Sequence, residues 1–130
     1  MTPLLFLGVC LAGGVGAAAR FLVDSRLASP GRRLPIGLLV VNASGSLLLG
    51  IVVALAGLAF LPEPIAIMLG AGLLGGYTTF SAASLETVRL IAARRWGAAL
   101  VTGPGMLVLC VALAAIGITT TSAVAAGLAA

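Results

Sequence analysis

The chain has 130 residues, of which 62% are hydrophobic and 8% charged, and it contains no histidine. A soluble domain of this size exposes too much of its surface to hide so much apolar material, so the composition excludes one and points to an integral membrane protein. The formal charge of +4 rests on basic residues that are all arginine, and their positions say more than their sum.

At roughly 20 residues per spanning helix, an all-α chain of this length crosses a bilayer four times and leaves no room for a soluble domain. The predicted spans are Leu4–Val23, Ile36–Leu61, Ile65–Ile91 and Gly97–Ile118. The first carries Gly8, Gly13, Gly14 and Gly16, small residues that let helices approach closely. Ala17-Ala18-Ala19 has the look of a signal-peptide cleavage site. A basic stretch ahead of the apolar run is missing, however, and Arg20 and Arg26 follow it, so the segment reads as a retained helix. Arg20 has two readings: it snorkels to the interface, or it has a structural or ion-attracting role at a water-filled vestibule.

The second span begins after Pro35 and carries Val41-Asn42-Ala43-Ser44-Gly45-Ser46. Asn42 and Ser46 are four residues apart and share a helix face. They serve either interhelical adhesion or a polar pore face offering N–H and O–H donors to an anion.

The third span holds Gly75-Gly76-Tyr77-Thr78-Thr79-Phe80-Ser81, two glycines and four side-chain hydroxyls between apolar flanks. Glycine weakens a helix, and threonine and serine divert its backbone hydrogen bonds. An unpaired backbone group in hydrocarbon costs several kcal/mol, so a broken helix at that depth lines a cavity, binds an ion or is buried in protein. Further along, Glu86 either couples protons or pairs with Arg89 three residues on.

The fourth span is the least polar, with Thr102, the interruption Gly103-Pro104-Gly105, Met106 and Cys110. Beyond Ile118 the cluster Thr119–Ser122 and the alanine-rich end read as a frayed tail. Cys10 and Cys110 fall inside spans and read as buried free thiols acting as small hydrophobes. Neither a disulfide framework nor a Cys-His metal site is indicated.

Arg20, Arg26, Arg32 and Arg33 lie at or after the end of span one, and Arg89, Arg94 and Arg95 between spans three and four. In a four-span chain these two connections share a side, whereas Leu61-Pro62-Glu63-Pro64 carries an acid and no base. The arginine bias predicts both arginine-bearing loops in the cytoplasm and both termini outside. The scattered arginines suit contact with the lipid bilayer rather than nucleic acid. So one-sided a count predicts a single fixed orientation, not insertion in both directions.

Along nearly its whole length the chain resembles the Fluc (CrcB-type) fluoride channels. The matching motifs are Gly13-Gly14-Val15-Gly16-Ala17-Ala18-Ala19-Arg20-Phe21, Pro35-Ile36-Gly37 leading to Val41–Ser46, and Gly75–Ser81 with Ser84 and Glu86. The resemblance implies an antiparallel dimer in a bacterial plasma membrane, with two potential fluoride pathways and a central structural sodium ion (Na+). The matching positions for sodium are the main-chain carbonyls of Gly75 and Thr78. It also implies that Asn42 lines the pore and that Phe80 turns its ring edge toward fluoride, an approach that the positive edge of an aromatic quadrupole favours. Ser46 and the hydroxyls of Thr79, Ser81 and Ser84 complete the expected fluoride pathway.

Two departures stand out. Ala83 occupies the position of the family's second phenylalanine, and Met106 and Cys110 fall where span four commonly offers polar or tyrosyl side chains. Together with the arginine asymmetry they suggest one half of a heterodimer, paired with an oppositely oriented paralogue. The expected function is passive, non-enzymatic exit of fluoride from the cytoplasm. The alternatives are a proton-coupled small-molecule exporter using Glu86 and a non-conducting structural subunit.

Overall fold

The computed structural model describes residues 1–27 and 34–129. Arg32 and Arg33, which contribute to the arginine asymmetry, lie outside them. The described residues form four helices long and apolar enough to cross a membrane. The first, α1, is Pro3–Leu27, and its N-terminus is capped by the Thr2 hydroxyl, which accepts from the Leu5 N–H at 3.2 Å. The second, α2, is Ile36–Gly57. The third crossing is divided: α3 covers 63–77, with wide π-helical turns over Met68–Leu74, and α4 covers Phe80–Ala92. The fourth, α5, covers 96–129 and is π-helical over Val101–Gly105. Pro104 falls in that stretch, where the wide turns absorb a residue that cannot donate a backbone hydrogen bond.

Two ends differ from expectation. α2 stops at Gly57, short of Leu61, because Ala59 adopts a left-handed conformation (φ 58°). The Phe60 N–H then reaches the Leu55 carbonyl at 3.0 Å and the Ala59 N–H the Ala56 carbonyl at 3.1 Å, a Schellman closure. Arg94 (φ 57°) closes α4 in the same way, through Arg95 to Leu90 at 2.8 Å and Arg94 to Ile91 at 2.9 Å. Each non-glycine left-handed residue costs roughly 1–2 kcal/mol, offset by the carbonyls it satisfies. The expected frayed tail is instead continuous helix to Ala129. The hydroxyls of Thr119 and Thr120 bond back to the carbonyls of Ala115 and Ile116 at 2.9 and 2.6 Å, so they do not compete for N–H groups. Alanine-rich sequence then continues the helix.

The helices pair through close backbone approach. α1 lies against α3, where a side chain on Gly16 would collide with the Leu73 carbonyl and one on Gly76 with the Gly13 carbonyl. α2 lies against the second half of α5, with Gly50 on the Ala114 carbonyl. Small residues at such contacts are the usual means of tight packing in a bilayer, where no hydrophobic force draws helices together. The two pairs place the α3–α4 break beside Asn42 of α2.

Candidate functional site at the helix break

The break is two residues long. Thr78 (ψ 161°) and Thr79 (φ −153°, ψ 118°) are extended between the end of α3 and the start of α4. Two substitutions of hydrogen-bond partner hold it open. The Thr79 N–H, which would serve the Gly75 carbonyl in a continuous helix, donates to Asn42 Oδ1 at 2.8 Å. The Ala82 N–H, which would serve the Thr78 carbonyl, donates to Thr79 Oγ1 at 3.2 Å, making Thr79 the N-cap of α4. The carbonyls of Gly75 and Thr78 are thereby released from their helical donors. Gly75 is exposed and Thr78 half-buried. Thr78 closes α3 by sending both its N–H and its hydroxyl to the Leu74 carbonyl, each at 2.9 Å.

Asn42 is buried, and every part of its amide is engaged. Its oxygen takes the Thr79 N–H, which fixes the amide orientation, since a backbone N–H only donates. Its Nδ2 donates to the Leu38 carbonyl at 3.1 Å and contacts Met106 Sδ at 3.7 Å. Nearby, the Ser44 hydroxyl bonds the Val40 carbonyl at 2.7 Å and lies 3.1 Å from the Tyr77 hydroxyl, tying α2 to the end of α3.

Two cavities flank this wall. The larger, about 610 Å³, is lined by Asn42, Ser46, Thr79, Phe80 and Ser84 among others. The smaller, about 510 Å³, takes Thr79, Ser81, Arg20 and Asp24. The expected pathway residues therefore divide between two spaces, with Thr79 common to both. Extended backbone at the break and the first turn of α4 point successive side chains in different directions, which separates Ser81 from Phe80. The Ser84 hydroxyl is already committed to the Phe80 carbonyl at 3.0 Å, and the Thr79 and Ser81 hydroxyls lie 3.3 Å apart. The Phe80 ring stands out from the chain at 81% exposure, so the larger groove has one aromatic wall without intrachain cover.

Thr102 also lines the larger cavity. It is fully buried, and its hydroxyl has no hydrogen-bond partner among the described residues. A buried hydroxyl left unpaired is costly, and this one sits within the wall of the groove with no surface open to it. Its sequence signal is a lone threonine just ahead of Gly103-Pro104-Gly105. Ala83 is buried with Leu38 and Met106, and Cys110 packs against that cluster. A phenylalanine at 83 would overpack it at a cost of about 1–3 kcal/mol. Both cysteines are free, but Cys10 is exposed on the outer face of α1, contrary to the expectation of a buried thiol. Glu86 lines neither cavity and pairs with Arg89 at 3.6 Å.

Comparison with known proteins bears on what this arrangement serves. The family described as CrcB-like protein, Camphor Resistance (CrcB), matches residues 7–118. The chain belongs to the CrcB-like family. Among its relatives, fluoride-specific ion channel FluC 1 of Leifsonia xyli subsp. xyli is 47% identical over 119 residues, covering 91% of this chain and 87% of its own. Fluoride-specific ion channel FluC 2 of Cutibacterium acnes is 55% identical over 89 residues, 64% of this chain and 69% of its own. FluC 2 of Mycobacterium tuberculosis is 48% identical over 91 residues, 69% of each chain. The family match runs from α1 into α5 and includes the break and both cavities. With four apolar helices, this CrcB-like chain is a multi-pass membrane protein.

Proposed function

We propose that this chain is a subunit of a fluoride-selective channel, a transporter and not an enzyme, through which fluoride leaves the cytoplasm passively. The observation that carries the reading is membership of a family whose relatives are named fluoride-specific channels, in a chain that sets Phe80, Asn42, Ser46, Thr79 and Ser84 along one groove. Neutral HF enters from external acid and dissociates inside, and a negative membrane potential drives the anion out. One elementary charge gains about 2.3 kcal/mol per 100 mV, which removes the need for a coupling carboxylate. Glu86, paired and outside both cavities, gives a proton-coupled exporter no support.

The break also fits a structural Na+. Hard cations take oxygen ligands, and the carbonyls of Gly75 and Thr78 are among those at the break that have lost their helical donors, here to Asn42 and Thr79. Main-chain carbonyls at an unwound membrane helix suit sodium without any carboxylate. Bound there, the ion supplies positive charge that ties released carbonyls together. Two carbonyls from one chain are too few for a full shell, which supports a second subunit bringing its own pair. The uncovered Phe80 ring supports the same reading. In that dimer the partner is an oppositely oriented paralogue, and this chain keeps its arginine-bearing loops in the cytoplasm and both termini outside.

Fluoride efflux from liposomes tests the proposal. Liposomes holding this chain with an oppositely oriented family member should release fluoride and retain chloride, and liposomes holding this chain alone should be slow. Equal release of chloride overturns the fluoride reading. Fast, selective efflux from this chain alone overturns the requirement for a paralogue and leaves the channel.

A further inference from the structure

The fluoride groove contains a contact that a simple polar pore does not need. Asn42 presents three hydrogen-bonding capacities at this site, and two go to strong backbone partners, the Thr79 N–H at 2.8 Å and the Leu38 carbonyl at 3.1 Å. The third, the remaining Nδ2–H, meets only the sulfur of Met106 at 3.7 Å. A thioether is a weak acceptor. Met106 is itself buried, packed with Leu38 and Ala83, and it lines the same groove as Asn42, Phe80 and Thr102. Its unbranched side chain repacks more easily than a branched one.

From this we infer that Met106 is a displaceable latch on the Asn42 amide. With the groove free of anion, the sulfur holds the third hydrogen and covers it. An anion entering the groove takes that hydrogen, because a hydrogen bond to an ion is roughly twice as strong as one between neutral partners, and a thioether is weaker still. Met106 then swings off the amide. The Thr79 and Leu38 bonds stay in place, so the exchange leaves the helix break intact. Met106 thus sets how readily this subunit's donors become available, and so makes this chain's groove harder to enter than one with an open amide. The inference rests on the proposed fluoride function.

The test uses the full chain in detergent, isotopically labelled, with Met106→Leu as the variant. Leucine preserves volume closely and removes the sulfur acceptor. Sodium fluoride is titrated against sodium chloride as control, following the Asn42 side-chain amide and the Met106 methyl by NMR. The chain has only three methionines, which makes the methyl assignment simple. In the native chain both signals should move together with fluoride and stay still with chloride. In Met106→Leu the Asn42 amide should respond at a fluoride concentration lower by about fivefold, the equivalent of one modest hydrogen bond. An amide that moves while the Met106 methyl stays fixed overturns the latch, and this outcome needs no variant to fold. Equal midpoints in native and leucine chains also overturn it. If no signal responds to fluoride, the latch fails. The fluoride reading is then judged separately by liposome efflux, where release from the assembled channel preserves it and absence of release removes it.

Discussion

Asn42→Ala probes the link between the second helix and the break in the third. The substitution removes the oxygen that accepts the Thr79 N–H at 2.8 Å and leaves that N–H without its partner. An orphaned buried donor costs about 1–3 kcal/mol. Thr79 is only half-buried, so the lower part of the range applies, about 1–2 kcal/mol or a factor of roughly 5–30. Amide hydrogen exchange in detergent reads this locally. The Thr79 amide should exchange faster by that factor, while the Thr78 amide, bonded to the Leu74 carbonyl at 2.9 Å, should change little. Asn42→Asp keeps an acceptor oxygen and should restore most of the protection at Thr79. If Thr79 exchanges at the native rate in Asn42→Ala, the side chain is not what holds the break open. If Thr78 and Thr79 accelerate together, the whole end of α3 has loosened, and the argument from a single bond fails.

Gly76→Ala places a methyl 2.9 Å from the Gly13 carbonyl carbon and 3.0 Å from its Cα, backbone atoms that cannot swing aside. It should lower the unfolding temperature in detergent and reduce the monodisperse fraction on size exclusion, whereas Gly14→Ala, with nothing within 4 Å, should behave as native. Glu86→Gln removes an ion pair at 3.6 Å whose arginine is 66% exposed, a contact worth little. Fluoride efflux from the assembled channel should stay within about twofold of native, and its abolition would point back to proton coupling.

Much of the fold was legible because bilayer physics is simple. Four apolar stretches of spanning length leave few alternatives, and glycines with hydroxyls at mid-membrane demand a break. What escaped was local hydrogen bonding that no composition reveals. The end of α2 depends on Ala59 accepting a conformation that glycine usually takes, so no glycine announces it. The helical tail depends on Thr119 and Thr120 turning their hydroxyls back onto their own helix. At the site, the break was recognisable from its glycines and hydroxyls, and the roles of Thr79 and Phe80 only through the family resemblance. The separation of Ser81 into the cavity with Arg20 was not, because it depends on side-chain directions in an irregular segment. Of the two readings of Asn42, interhelical adhesion and donation to an anion, its bond to the Thr79 N–H fits the first, and its oxygen is the more firmly engaged end. Thr102 was named in the fourth span but given no role, because a single threonine in an apolar span is ordinary until its burial and lack of a partner are seen.

Ala83 and Met106, the positions at which the resemblance suggested departures, meet at one point in space. They pack together with Leu38 next to Asn42. The small residue at 83 and the long thioether at 106 are therefore complementary, the one leaving volume that the other occupies. Changing Met106 to a short polar residue alone would open a void beside Ala83, and adding a phenylalanine at 83 alone would overpack the methionine. On the proposed reading, Asn42 joins this pair to the ion at the break, because the oxygen that takes the Thr79 N–H also releases the Gly75 carbonyl. Whatever disturbs Met106 is felt at the Nδ2 end of the Asn42 amide, while its oxygen keeps the Thr79 N–H. The groove and the break thus share one amide, which holds the break through its oxygen and meets the groove through its Nδ2.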